Sequence, residues 1–143
     1  MSFLTFIINL FNNNSTQSSV WTTNNILNDK SIYNLFPGTI KIIMDSKYKL
    51  IPKNNMNYFL KNDNTSYKKY VAEFHDCDDF AVVLWGRLKE NFQGGAIGLA
   101  LSDEHAFNFF IDDKCQVWII EPQNDKIFKP NNTSKYKLKR IFL

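Results

Sequence analysis

Residues 96–121 constrain the fold of this chain more than any other stretch. Ala96 to Leu101 is an apolar run interrupted only by Gly98. Two more apolar segments follow, His105 to Ile111 and Cys115 to Glu121, separated by Asp112-Asp113-Lys114. Short runs rich in Ile, Val and Phe and bounded by polar turn residues read as strands, and two of them joined by a three-residue turn read as an antiparallel hairpin. In front of this sheet lies a helical pattern. Phe80, Leu84 and Leu88 recur at helical spacing and predict a helix of about three turns over residues 76–90 with one buried stripe. Helix and sheet are segregated along the chain, so the expected class is α+β, a helix packed on an antiparallel sheet.

The size allows that. At 143 residues, with 44% hydrophobic residues and thirteen Phe, the chain has enough material for a sizeable core and reads as one globular unit. Within it, residues 1–44 are expected to pack on or extend a domain formed by residues 45–143. Seventeen basic and fourteen acidic side chains leave a formal charge of +3, too balanced to point to nucleic acid. Two cysteines, Cys77 and Cys115, make no disulfide framework, so a reducing, cytoplasmic setting is the simpler expectation. Phe3 to Phe11 is apolar but too short to span a bilayer, and no Lys or Arg precedes Lys30 to form the basic region of a signal peptide. That segment is expected to pack on the domain, with a membrane or partner contact as the alternative.

The remaining elements are read from composition. Residues 12–25 are polar and uncharged, a linker anchored by Trp21. A short helix is expected over 26–36, ended by Pro37-Gly38, and strands over 39–44 and 48–51. Residues 54–61 suit a helix with Met56, Phe59 and Leu60 inward, and 62–66 a loop. Ile127-Phe128 suits a short strand. The basic tail 131–143 reads as an edge strand with a solvated Lys face, or as an interaction patch. This tail and the N-terminal apolar segment are the two candidate surfaces for homo-oligomers.

Chemistry concentrates before the helix. Glu73-Phe74-His75-Asp76-Cys77-Asp78-Asp79-Phe80 is the only place where a thiol, an imidazole and four carboxylates fall within eight residues. Asp76 suits the N-cap and Asp79 the third helical position, which sets Cys77 in the first turn. Unpaired backbone N–H groups and the positive end of the helix dipole favour thiolate there, as a nucleophile requires. The plainer reading is a small core cysteine. His75 is a weaker base candidate than His105. A zinc site from His75, Cys77, His105 and Cys115 lacks any paired ligand signature.

The hairpin supplies partners for Cys77. With a loop of residues 112–114, Ile111 faces Cys115 and, counting outward, His105 faces Glu121. Directly opposed residues share a face, with Cβ atoms roughly 4.5–5.5 Å apart, so the imidazole and the carboxylate can hydrogen-bond. Such a carboxylate fixes the tautomer and stabilises imidazolium. Asn108 falls on the opposite face. Cys115 alternates with Val117 and Ile119 and is expected in the core. Gln123 and the N–H of Cys77 are candidates to hold an oxyanion. Three acids beside a thiolate, Asp76, Asp78 and Asp79, work against it unless a cation neutralises them. A hard cation such as Ca²⁺ suits clustered carboxylates, and simple helix capping is the alternative.

Three motifs carry a resemblance: Asp76-Cys77-Asp78-Asp79-Phe80-Ala81, His105-Ala106-Phe107-Asn108 and Ile120-Glu121-Pro122-Gln123. In order and approximate spacing they resemble the papain-like C-terminal domain of the fairy-ring mushroom (Marasmius) agglutinin and similar stand-alone bacterial and phage domains, over roughly residues 45–130. The resemblance implies a papain-like fold and Ca²⁺-dependent cysteine-protease activity on a protein or peptide. It assigns Cys77 as nucleophile, His105 as base and Glu121 as its orienter, and it matches Asp78 and Asp79 to metal-associated acids. Nothing in the chain has the repeats of the agglutinin's sugar-binding β-trefoil. Two rivals stand beside this reading. One is a catalytically silent papain-like module that sequesters a partner, and the other is an amidase or transferase with the same triad.

Overall fold

A computed structural model describes residues 26–143. The predicted N-terminal apolar segment and the Trp21 linker lie outside the described residues. The elements in chain order are β1 (Ile26–Asn28), α1 (Asp29–Leu35), β2 (Ile40–Ile42), β3 (Lys47–Lys49), α2 (Lys53–Asn62), a 3₁₀ turn (Thr65–Tyr67), α3 (Cys77–Asn91), β4 (Ile97–Leu101), β5 (Ala106–Ile111), β6 (Val117–Glu121), β7 (Lys126–Phe128) and β8 (Arg140–Phe142). Six strands form one sheet in the order β2-β8-β4-β5-β6-β7, and β1 with β3 makes a separate ribbon. All pairings in the large sheet are antiparallel except β2 with β8.

Both faces of the sheet are covered. Phe107, Phe109, Ile111 and Ile119 point to one side, where Ile32 and Phe36 of the α1 region, Tyr48 and Leu143 complete the core. Phe110, Ile120 and Ile97 point to the other, against Met56 and Leu60 of α2 and Leu84 and Leu88 of α3. This double coverage is why β5 is buried at every position and reads as a continuous apolar run. Gly98 marks the tightest approach: a Cβ there would come within 2.3 Å of the Phe109 ring and of the Phe142 carbonyl.

Three expectations need correction. The tail strand is not at an edge: β8 lies between β2 and β4, so it offers no free edge to a second copy. Ile141 is buried there, while residues 131–139 form an irregular strap ahead of the strand. Cys115 is exposed rather than in the core, at φ 57° in the hairpin turn.

The third correction is the register. β5 and β6 pair Ile111 with Val117, and the Asp112 N–H donates to the Gln116 carbonyl at 2.9 Å. The hairpin loop is therefore three residues long, but it is 113–115 rather than 112–114. Its last residue, Cys115, takes the left-handed conformation that such loops require. Asp112 stays in the strand line because its carboxylate ties the turn together. Oδ1 accepts from the N–H groups of Lys114 at 2.9 Å and Gln116 at 2.8 Å, and Oδ2 accepts from Trp118 Nε1 at 2.7 Å. Extending this register sets Glu121 opposite Phe107, so His105 is a diagonal neighbour of Glu121, not its directly opposed partner. Sliding the loop by one position moves each partner by two residues. Two is the period of the strand, so His105 and Glu121 keep a common face.

Candidate active site

Cys77 is half-buried at the first position of the 15-residue helix α3. The preceding residues form a tight loop in which Val71 and His75 exchange two backbone hydrogen bonds, 2.9 and 2.7 Å long. Glu73 takes a positive φ of 65° there, and the His75 ring packs on Phe80 at 4.4 Å. Asp76 is the N-cap in an extended conformation, and its N–H donates to Asp79 Oδ2 at 3.2 Å. This half of a capping box fixes where the helix begins, and so places Cys77 in the first turn.

Two anchors set α3 along β5. Ala81 O accepts from Asn108 Nδ2 at 2.9 Å, and Trp85 Nε1 donates to Ile97 O at 3.1 Å, with Ile97 paired to Phe110. One helical turn advances about 6 Å for four residues, and two strand residues about 6.6 Å. The same step taken back from Ala81 brings Cys77 to the level of Ala106 on the α3 face, while the ring of His105, one residue earlier, stacks with Phe107 of the other core layer. No hydrogen bond joins Cys77 Sγ to His105 among the described residues.

His105 precedes β5 and is held by the turn before it, where the Ser102 hydroxyl accepts from the His105 N–H at 2.9 Å. The ring is buried, and Nε2 meets Glu121 Oε2 at 2.7 Å. Diagonal neighbours stand about 7–8 Å apart at the backbone, within reach of two long side chains. Nδ1 makes no hydrogen bond among the described residues.

Glu121 is only 2% exposed and its carboxylate is fully engaged. Oε2 also accepts from Tyr136 Oη at 2.6 Å, Lys135 Nζ lies 3.7 Å from it, and Oε1 accepts from the Gln123 N–H at 3.3 Å. Burial pushes the Glu121 carboxyl up, but the hydrogen bonds from His105 and Tyr136 and the His105 charge outweigh it, so the carboxyl is held below its usual range. Gln123 thus touches the site through its backbone, and its side chain has no hydrogen bond among the described residues. Tyr136 and Lys135 are the site residues that sequence reading missed. A basic tail carries no local signal that its single tyrosine returns to a strand fifteen residues earlier.

The acids divide. Ligand atoms of Asp76, Cys77 and Asp78 lie within 4.8 Å of one another. Asp79 is outside that group, its carboxylate spent on the N-cap. Asp76 and Asp78 share a hydrogen bond that raises the Asp78 carboxyl and lowers that of Asp76, as two acids holding one proton do. Asp76 Oδ1 is buried without a partner among the described residues. Oxygen donors with one unmatched lone-pair site fit a hard cation, and Asp76 and Asp78 are the residues that would hold it.

No protein-family model matches the sequence, and no curated protein matches it at a significant level. Solved structures do. The PSL1a–E64 complex superposes with a TM-score of 0.67 at 23% identity, covering 82% of this chain and 51% of that one. The Polyporus squamosus lectin bound to the human-type influenza-binding epitope Neu5Aca2-6Galb1-4GlcNAc matches with a TM-score of 0.64 at 21% identity, covering 82% and 49%. This chain therefore spans about half the length of either structure. The likeness is to the papain-like domain of that lectin, and the fold of this chain is papain-like, α+β. Among the described residues no helix is long and apolar enough to cross a membrane.

Proposed function

We propose that this chain is a cysteine peptidase or a related amide hydrolase acting on a protein or peptide, with Cys77 as nucleophile, His105 as base and Glu121 as orienter. The observation that carries the reading is the buried 2.7 Å contact between His105 Nε2 and Glu121 Oε2. A carboxylate on Nε2 fixes the tautomer that leaves Nδ1 basic and stabilises the imidazolium once it forms. Nδ1 then takes the Cys77 proton as Sγ attacks the carbonyl carbon. The Cys77 N–H, at the start of α3, is a donor for the oxyanion, and Gln123 is the second candidate. His105 returns the proton to the leaving amine, and water hydrolyses the thioester. The match to a structure that holds E64, a cysteine-protease inhibitor, supports the same assignment. Ca²⁺ at Asp76 and Asp78, with Asp79 close by, would neutralise the acids around the thiol.

Iodoacetamide labelling tests the nucleophile. Cys77 should react at least tenfold faster than the exposed Cys115 near neutral pH, and Cys77→Ala should abolish hydrolysis of a peptide library. Equal rates, or activity in the alanine variant, would sink the catalytic reading in favour of a silent binding module. Rapid labelling without peptide cleavage would move the activity to an amidase or transferase.

A further inference from the structure

The strap of residues 131–139 is built into the back of the site. Ser134 Oγ donates to Glu104 Oε2 at 3.0 Å, and Lys139 Nζ meets Asp103 Oδ2 at 3.2 Å, both acids belonging to the turn that leads into His105. Between these two ties, Tyr136 reaches the other partner of His105. Its hydroxyl donates to the same Glu121 oxygen that receives His105 Nε2. Its ring stands edge-on to His105, with centroids 5.6 Å apart and planes at 84°, and is packed against Phe107 and Phe128.

We propose that Tyr136 is a positioning residue, delivered by the strap, that holds the Glu121 carboxylate ionised and aimed at His105. The inference rests on the reading of Cys77, His105 and Glu121 as a triad. A buried carboxylate needs donors to remain charged, and its rotation must be fixed if one oxygen is to stay on Nε2. Tyr136 does both, and its ring keeps water from the contact, which strengthens it. The titratable groups facing the carboxylate are His105, Tyr136 and Lys135, with Lys126 as its cross-strand partner on β7. Burial and the adjacent Glu121 charge push the Tyr136 phenol up, so it stays a donor across the working range.

The test is Tyr136→Phe, which keeps the ring and removes the donor. Two readouts are expected to move together. The pH midpoint of the Glu121 carboxyl, followed by its ¹³C shift, should rise by about one unit, and kcat should fall about tenfold with KM little changed, the scale of one charge-assisted hydrogen bond. An unchanged midpoint or an unchanged kcat would overturn the proposal, since a purely structural role would move neither selectively. Should Tyr136→Phe not fold, the same pair of measurements on Tyr136→Leu decides, an apolar side chain that carries no donor. In a Glu121→Gln background, Tyr136→Phe should cost little further rate, and a full additional loss would also overturn it. If the wild type neither cleaves nor labels rapidly, the catalytic reading fails on its own, and the carboxyl midpoint still decides whether Tyr136 governs Glu121.

Discussion

At the scale of single residues, Glu121 is the most consequential side chain. It is buried, charged and dependent on its donors. Under the proposed mechanism, Glu121→Gln keeps the shape but cannot stabilise imidazolium, so hydrolysis should fall by roughly two to four orders of magnitude with the fold retained. The same residue sets a pH dependence. Its folded carboxyl is held below its unfolded value, with burial opposing and the His105 and Tyr136 bonds prevailing. Such a group contributes stability above its unfolded value, about 4.3, and loses it as pH falls through the folded value. Thermal melts of wild type and Glu121→Gln should therefore differ most above pH about 5 and converge as the solution is acidified. A gap that stays constant down to pH about 2 would show that the pair adds no pH-dependent stability.

At the scale of elements, the hairpin and the start of α3 each hold one part of the site. The hairpin depends on Asp112, whose carboxylate accepts three hydrogen bonds. Asp112→Ala leaves those donors without their partner and should destabilise the protein by about 2–3 kcal/mol, read by denaturant unfolding. It should also loosen the His105–Glu121 contact, because register is set at the turn. A loss below about 0.5 kcal/mol would mean the turn holds without it. The start of α3 is where metal would act. Added Ca²⁺ should raise the melting temperature and speed Cys77 labelling, and Asp76→Asn with Asp78→Asn should erase both effects. Asp79→Asn alone should weaken the helix start yet leave a calcium response. If calorimetry detects no Ca²⁺ binding, these acids serve only the helix and each other.

At the scale of the whole molecule, the chain end is structurally central. β8 bridges β2 to β4, and the Leu143 N–H and carbonyl make further bonds, to Ile42 at 2.9 Å and from Tyr48 Oη at 2.8 Å. Removing residues 140–143 detaches β2 from β4 and strips Ile141 and Leu143 from the core. Circular dichroism melts of that truncation should show no cooperative transition. A sharp transition near the wild-type temperature would contradict the strand order.

Local chemistry was enough for what depends on neighbours in sequence. The helix behind Cys77 follows from Asp76, Asp79 and the Phe80, Leu84, Leu88 stripe, because capping and helical periodicity act over one or two turns. The common face of His105 and Glu121 follows from alternation, which is why it survived a loop misplaced by one residue. The tertiary structure decided the rest. Asp112 chose where the turn falls by bonding Trp118, a contact that exists only once β6 has folded back. β8 took an interior place because β2 and β4 both bond to it and Ile141 completes one core layer, although its Lys-rich approach reads as a solvated edge. Tyr136 found Glu121 because the strap is tied at both ends to the turn before His105. Contacts of that kind are set by how distant segments close around one core, and no pattern within a single segment records them.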